Sequence, residues 1–594
     1  MKIVCLIAIT AYAWVAASSA LLLFLLGHIE AFTFPFAQWF WLAPYYAELG
    51  HWGSGFVIGS GLAPAIVPII PLLGNANRQP KKRMTMSRSW LQPTKLPQIE
   101  RGVTDNHGHA AEMSDKEALQ KFSPKPHPEY GGKVIGRLPS NGTTLYDHLD
   151  SGRTGLTLEF SGSGTGKTSA LISMICRFEG PRIINDPSGE IAPMIWRRMV
   201  EYDGEENVHI VSPDPEPKDK YGRPEPWAHL VRPYNPIGWI DPTAPMATTA
   251  VRTVARSFFE EESENSKGGD NEYFRKAARS LISAILGDLL WNDDPRGKNL
   301  SAMREILSLG PDELEKHLQR LRTSSPCPMT RLAIGPMLNS LQESGKTFSS
   351  VWDEANQATM WLTDPHLAAM VSGSDFDTRA ICDPAPKSII FHLPLDLQQT
   401  DPAVARVLFG SFVSAKIASK TTNWALFLPD EPWAFGRAKW IETAIAAGRK
   451  HGIAMHAPWL DVGTLERVWG GKSARSFWFS NARAILISQL NDPAVARELA
   501  DACGTYGVLA HSEGTNRGVQ GGTGFGRMSR GSNVSIHEIK RPVRMLHELI
   551  QDLERDDLLV LGIGRPLPLK RAVWMGYPDL VREIDPSPYD RRVA

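Results

Sequence analysis

Lys167 and Thr168 close an eight-residue run, Ser161-Gly162-Ser163-Gly164-Thr165-Gly166-Lys167-Thr168, whose residue types suit the binding of a polyphosphate. The glycines let successive backbone N–H groups turn inward on one anion with no Cβ in the way. Lys167 can reach β- and γ-phosphates, and the Thr168 hydroxyl can hold Mg²⁺. This chemistry needs a strand before the loop and a helix after it. Leu156–Phe160 reads as that strand, and an apolar helix follows from about Ser169 to Phe178. The helix brings its positive N-terminal end to the same spot. One position departs from the usual pattern, Ser161, where a glycine is expected. Gly162, Ser163, Gly164, Thr165, Gly166, Lys167 and Thr168 are therefore the expected nucleotide-binding residues, with ATP and Mg²⁺ as cofactors.

An acidic pair supplies the other half of such a site. Asp430 and Glu431 follow the apolar stretch Ala425-Leu426-Phe427-Leu428 and Pro429. Asp430 is expected to hold Mg²⁺ through water, and Glu431 to orient the attacking water or accept its proton. Two acids at a strand end usually form a solvated surface; a phosphate loop elsewhere in the chain gives them a catalytic reading. Arg449, in Ala447-Gly448-Arg449-Lys450-His451-Gly452, lies one helix beyond the acids. It is expected at a subunit edge rather than over its own loop, where its guanidinium could meet a neighbour's γ-phosphate bidentately. The plainer reading is a helix-end arginine that neutralises the C-terminal dipole.

The rest of the chain must position these groups. At 594 residues it exceeds one domain. Lys and Arg number 64, Asp and Glu 64, so no global basic field draws the protein to nucleic acid, and any such binding must come from local patches. Five scattered cysteines, with no metal-ligand spacing, read as buried apolar residues in a reducing compartment.

Residues 1–75 read as a membrane anchor, with uncharged spans at about 3–26 and 53–73 joined by a short, aromatic-rich external hairpin. Arg78, Lys81, Lys82, Arg83 and Arg88 follow closely and place the bulk of the chain in the cytosol. A cleaved signal peptide is the alternative for the first span. Residues 76–133 read as a linker. Strands alternating with helices over 134–250 and again over 385–594 predict a parallel α/β sheet covered on both faces. Between them, 251–384 reads as an inserted all-α domain. Over 250–385 there are 15 Lys and Arg against 20 Asp and Glu, so charge does not make it a nucleic-acid face. The segment 511–544 carries Arg517, Arg527, Arg530, Lys540, Arg541 and Arg544 against Glu513 and Glu538. It reads as a flexible, glycine- and serine-rich loop able to follow a phosphate backbone, or as a disordered surface loop.

Taken in order, the motifs resemble a family. They are two N-terminal spans, the phosphate loop, Asp186-Pro187-Ser188-Gly189-Glu190 at a strand end, Asn235-Pro236-Ile237, a helical insertion, Asp430-Glu431, and Gly448-Arg449-Lys450 before Gly452-Ile453. This pattern is similar to the type IV secretion coupling proteins, the TraG/TraD-like conjugation ATPases. The resemblance implies a RecA-like domain with an all-α insertion and a homo-oligomer, a ring of six. It also implies an inner-membrane anchor and delivery of single-stranded DNA with its relaxase to the type IV secretion channel. It points to Arg449 as a finger acting across the ring. Three positions depart from the family: Ser188 stands where lysine is usual, Leu460 where a nucleotide-sensing glutamine is usual, and Pro429 directly precedes the acids. A double-stranded DNA translocase and a poorly hydrolysing receptor for protein substrates are the competing readings.

Overall fold

The computed structural model describes residues 108–149, 155–261, 270–519 and 528–589. The expected membrane spans lie outside the described residues. No helix among the described residues is long and apolar enough to cross a membrane.

Among the described residues thirteen strands run in chain order: β1 (Lys133–Arg137), β2 (Thr144–Asp147), β3 (Leu156–Phe160), β4 (Arg182–Asn185), β5 (Val208–Val211), β6 (Ser388–Phe391), β7 (Ala425–Pro429), β8 (Ile453–Trp459), β9 (Ala484–Ile487), β10 (Thr505–Val519), β11 (Met528–Pro542), β12 (Asp557–Leu561) and β13 (Leu567–Lys570). Eleven of them form one sheet in the order β2-β1-β13-β12-β9-β3-β8-β7-β4-β6-β5. The run from β9 to β5 is parallel throughout. Every residue of β3, β4, β5, β6, β7, β8 and β9 is buried, as strands covered on both faces must be. Beyond β9 the sheet turns antiparallel through β12, β13, β1 and β2.

The helical block enters between β5 and β6, which nevertheless pair directly, so the insertion leaves the sheet and returns beside its point of departure. Its helices Asp270–Trp291, Pro311–Ser324 and Pro328–Glu343 bury Leu281, Ile285, Leu289, Leu318, Leu321 and Ile334 in a core continuous with one face of the sheet. The helical run is broken at Ser344 (φ −153°, ψ 84°), between Pro328–Glu343 and Gly345–Ala358.

Other local expectations change. Within the expected linker, Asp115–Lys121 is a helix held by a Ser114/Glu117 capping box. Met113, Ala118 and Phe122 pack with Ile135, Leu558 and Leu569 of the antiparallel strands. The last strand occupies Leu567–Lys570, and Arg571 turns away from it into the interior. The segment read as a flexible loop is a β-hairpin. β10 and β11 pair in continuous register from Thr505↔Pro542 to Val519↔Met528, in a sheet of their own. Fifteen residues per strand make a ribbon about 50 Å long.

Candidate functional site

The phosphate loop leaves the C-terminal end of β3, where Ser161 N–H donates to the Trp459 carbonyl of β8 (3.1 Å). Gly164 (φ 75°) and Gly166 (φ 85°) hold left-handed conformations that side chains avoid, and Gly166 caps the helix Lys167–Arg177. The Thr165 hydroxyl closes the loop on the Gly162 carbonyl (2.8 Å). Lys167 and Thr168 thus open the helix, next to its unpaired N–H groups.

β7 stands two strands from β3 and delivers the acids to the same edge of the sheet. Its ladder with β8 ends at Phe427↔Met455, whereas its ladder with β4 runs on to Asn185↔Pro429. Asp430 is buried. Its backbone carbonyl accepts from Asn185 Nδ2 (2.9 Å), and Asn185 exchanges amide hydrogen bonds with the buried Gln398 (3.1 and 3.2 Å). Burial, then the neighbouring Glu431 charge, pushes the Asp430 carboxyl up to about 8; Asp186 adds to this and Lys167 opposes it. Glu431 adopts φ 52°, a strained conformation for a side-chain-bearing residue. Trp433 Nε1 donates to its carboxylate, and its own carbonyl accepts from Ala434 N–H (2.9 Å). The turn that follows is tied to the inserted helices: Arg406 donates to the carbonyls of Phe435, Phe258 and Ser257 (3.0, 3.2 and 3.3 Å).

Lys167 Nζ is buried, has no hydrogen-bond partner, and lies 3.9 Å from Glu431 Oε1. An unsatisfied ammonium beside a crowd of carboxyls is costly unless another group completes it. The donors present fit a triphosphate with a divalent cation: backbone N–H groups and Lys167 for the phosphates, Thr168 and Asp430 for the metal. Among the described residues no group of three or more His, Cys, Asp or Glu could hold a metal ion.

Arg449 is exposed in the 3₁₀ turn Gly448–His451, just before β8 begins. The phosphate loop follows the opposite, C-terminal end of the parallel neighbour β3. A seven-residue strand spans about 20 Å, so Arg449 does not reach its own loop. Leu460 lies immediately beyond β8, beside Ser161. Ser188 donates to Asp186 Oδ1 (3.2 Å), while Asp186 Oδ2 accepts from Ala192 N–H (2.9 Å) and so anchors the helix Ile191–Asp203. Of the basic residues at 511–544, Arg544 is buried and paired with Glu112, which withdraws it from any surface.

Residue patterns alone missed Glu159, His456, Arg571 and Gln398. The first carried a signal, since a glutamate within the otherwise uncharged Leu156-Thr157-Leu158-Glu159-Phe160 strand, buried on both faces, must find a partner. The others carried none, because their partners lie far away in sequence.

The profile of the family described as "Type IV secretory system Conjugative DNA transfer" matches residues 151–585. The chain is 27% identical over 512 residues to a type IV secretion system-coupling protein VirD4 of Bartonella quintana, covering 81% of this chain and 74% of that one. It is 27% identical over 504 residues to a conjugal transfer protein TraG of Agrobacterium fabrum, covering 80% and 71%. Among solved structures, plasmid coupling protein TrwB in complex with a non-hydrolysable ATP analogue has a TM-score of 0.54 at 13% identity, covering 80% of this chain and 96% of that one. TrwB in complex with ADP and Mg²⁺ has a TM-score of 0.53 at 12% identity, covering 80% and 96%. At such identities the likeness shows the shared fold.

Proposed function

This chain belongs to the type IV secretory system family of conjugative DNA-transfer proteins, and we propose that it is a RecA-like coupling ATPase, anchored in the inner membrane, that assembles as a hexameric ring. In this reading it brings single-stranded DNA with its relaxase to the secretion channel and drives transfer by ATP hydrolysis. The observation that carries the reading is the Lys167 ammonium, buried without a hydrogen-bond partner and 3.9 Å from Glu431 Oε1, with Asp430 at its side. Solved relatives of the same fold support it, one in complex with a non-hydrolysable ATP analogue and one with ADP and Mg²⁺.

In the working site, Lys167 and the loop N–H groups bind the phosphates, and Thr168 and Asp430 hold the cation. Mg²⁺, when bound, neutralises charge on the phosphate oxygens. Glu431 takes the proton of the attacking water, its carboxylate aimed by the left-handed turn and by Trp433. ATPase assays of the full chain, alone and with single-stranded or duplex DNA, test the function. Stimulation by single strands is expected; stimulation by duplex alone would favour a double-stranded DNA translocase. Leu460, an aliphatic side chain beside the loop, favours the second reading, a slow hydrolyser that receives protein substrates, and DNA-insensitive turnover would select it.

Glu431→Gln is expected to bind ATP with near wild-type affinity but to turn over about 10²–10⁴ times more slowly. The amide keeps an oxygen for Trp433 yet cannot take a proton. Near-normal turnover would reduce Glu431 to a structural acid.

The β10–β11 ribbon is the proposed nucleic-acid contact. Arg517 and Arg530 occupy directly opposed register positions on its two strands. Arg527 lies outside the described residues. Replacing Arg517, Arg527 and Arg530 by alanine should weaken single-stranded DNA binding. It should also reduce the slope of log K against log salt by about 2 if all three meet phosphates. An unchanged salt titration would reject this role.

A further inference from the structure

The one residue that breaks the loop consensus, Ser161, is the top of a buried polar cluster. Its hydroxyl donates to Glu159 Oε1 (2.9 Å) and accepts from Arg571 Nη2 (2.8 Å). Arg571 Nη1 pairs with Glu159 Oε1, and His456 Nε2 donates to Glu159 Oε2 (2.9 Å). All four residues are buried, none more than 2% exposed. Burial alone would raise the Glu159 carboxyl. The Arg571 charge and the His456 hydrogen bond overcome it and hold the group well below the usual carboxylate range, so the pair stays ionised.

Arg571 comes from outside the parallel core. It follows β13, two strands beyond β9, and its N–H donates to the Asp556 carbonyl (2.7 Å). Its side chain runs along the underside of the loop, since a Cβ added to Gly166 would sit 3.7 Å from Arg571 Cδ. The guanidinium fork thus spans Glu159, at the end of the strand, and Ser161, at the start of the loop.

We propose that Arg571 is a positioning residue for the phosphate loop: through Glu159 and the Ser161 hydroxyl it sets the loop's entry angle in place of the usual glycine. A glycine at this position confers freedom of backbone; here two hydrogen bonds on a serine fix one conformation. The C-terminal antiparallel extension, whose residue 571 is 410 positions from Ser161, thereby determines how tightly the loop holds phosphate. The inference rests on the proposed nucleotide site.

The test uses the full chain and titrates ATP·Mg²⁺, with melting temperature measured in parallel. Ser161→Ala removes only the hydroxyl and leaves the Arg571–Glu159 pair intact. It should bind ATP·Mg²⁺ about tenfold more weakly, one charge-assisted hydrogen bond's worth, while melting close to wild type. Arg571→Lys keeps the charge but loses the fork, and should cause a similar loss. The double variant should bind no more weakly than Arg571→Lys alone, because the hydroxyl acts through Arg571. Wild-type affinity in Ser161→Ala, or losses that add in the double variant, would overturn the proposal. If Arg571→Lys fails to fold, the Ser161→Ala affinity decides alone. A wild-type protein that bound no ATP·Mg²⁺ would instead overturn the nucleotide site itself, and the positioning role with it.

Discussion

Lys167→Ala is expected to abolish DNA transfer and to leave no measurable ATP turnover, while the protein still folds and inserts. Lys167 supplies the only side-chain cation within 4 Å of Glu431 among the described residues. Removing a single preorganised charge donor from a phosphoryl-transfer site costs on the order of 10²–10³ in turnover, and here ATP binding is lost as well. The fold should tolerate the change, because Lys167 Nζ makes no hydrogen bond that another group depends on. Removing it does leave Asp430, Glu431 and Asp186 without the opposing charge, so Asp430 should hold its proton more firmly than before. Mating assays with the variant, alongside ATPase and melting measurements, decide the matter. A variant that folds and supports transfer at the normal frequency would sink the phosphate-site assignment.

Arg449→Ala is expected to be as inactive in hydrolysis, for a different reason. Arg449 sits at the N-terminal end of β8, whereas its own phosphate loop lies at the C-terminal end of β3. An arginine that completes a phosphoryl-transfer site from a neighbouring subunit is worth ~10³–10⁵ in turnover. Two consequences follow for a ring. Hydrolysis should rise more steeply than linearly with protein concentration, since a monomer lacks part of its site. Arg449→Ala should also regain some turnover when mixed with Lys167→Ala, because the mixture contains interfaces that pair an intact loop with an intact arginine. Rates linear in concentration, with no rescue on mixing despite demonstrated ring assembly, would leave Arg449 as a cap on the helix Lys439–Ala447.

The turn after the acids is tied to the root of the inserted helices. Arg406 holds the Ser257 and Phe258 carbonyls, at the end of the helix Ala247–Ser257, together with Phe435, four residues past Glu431. The Arg437 N–H also donates to Glu260 Oε1 (3.1 Å). A shift at the root of the insertion would therefore move the turn that carries Glu431.

Much of this site was legible in one dimension. The phosphate loop, its strand and its helix depend on glycine spacing and an apolar run, which are local properties of the chain. The acid pair at the end of β7 was legible for the same reason, as were the alternating strands and helices on either side of the insertion. Tertiary structure alone decided which distant residues share a buried pocket. Glu159 meets Arg571, 412 positions away, and Asn185 meets Gln398, 213 positions away, because the sheet order makes neighbours of their elements. The hairpin at 505–542 escaped for a related reason: its glycines, serines and threonines show little periodicity, and its backbone is satisfied by cross-strand pairing. The position of Arg449 away from its own loop follows from the parallel register of β3 and β8. Apolar periodicity is written in adjacent residues, whereas the partner of a buried charge is set by which strands lie side by side.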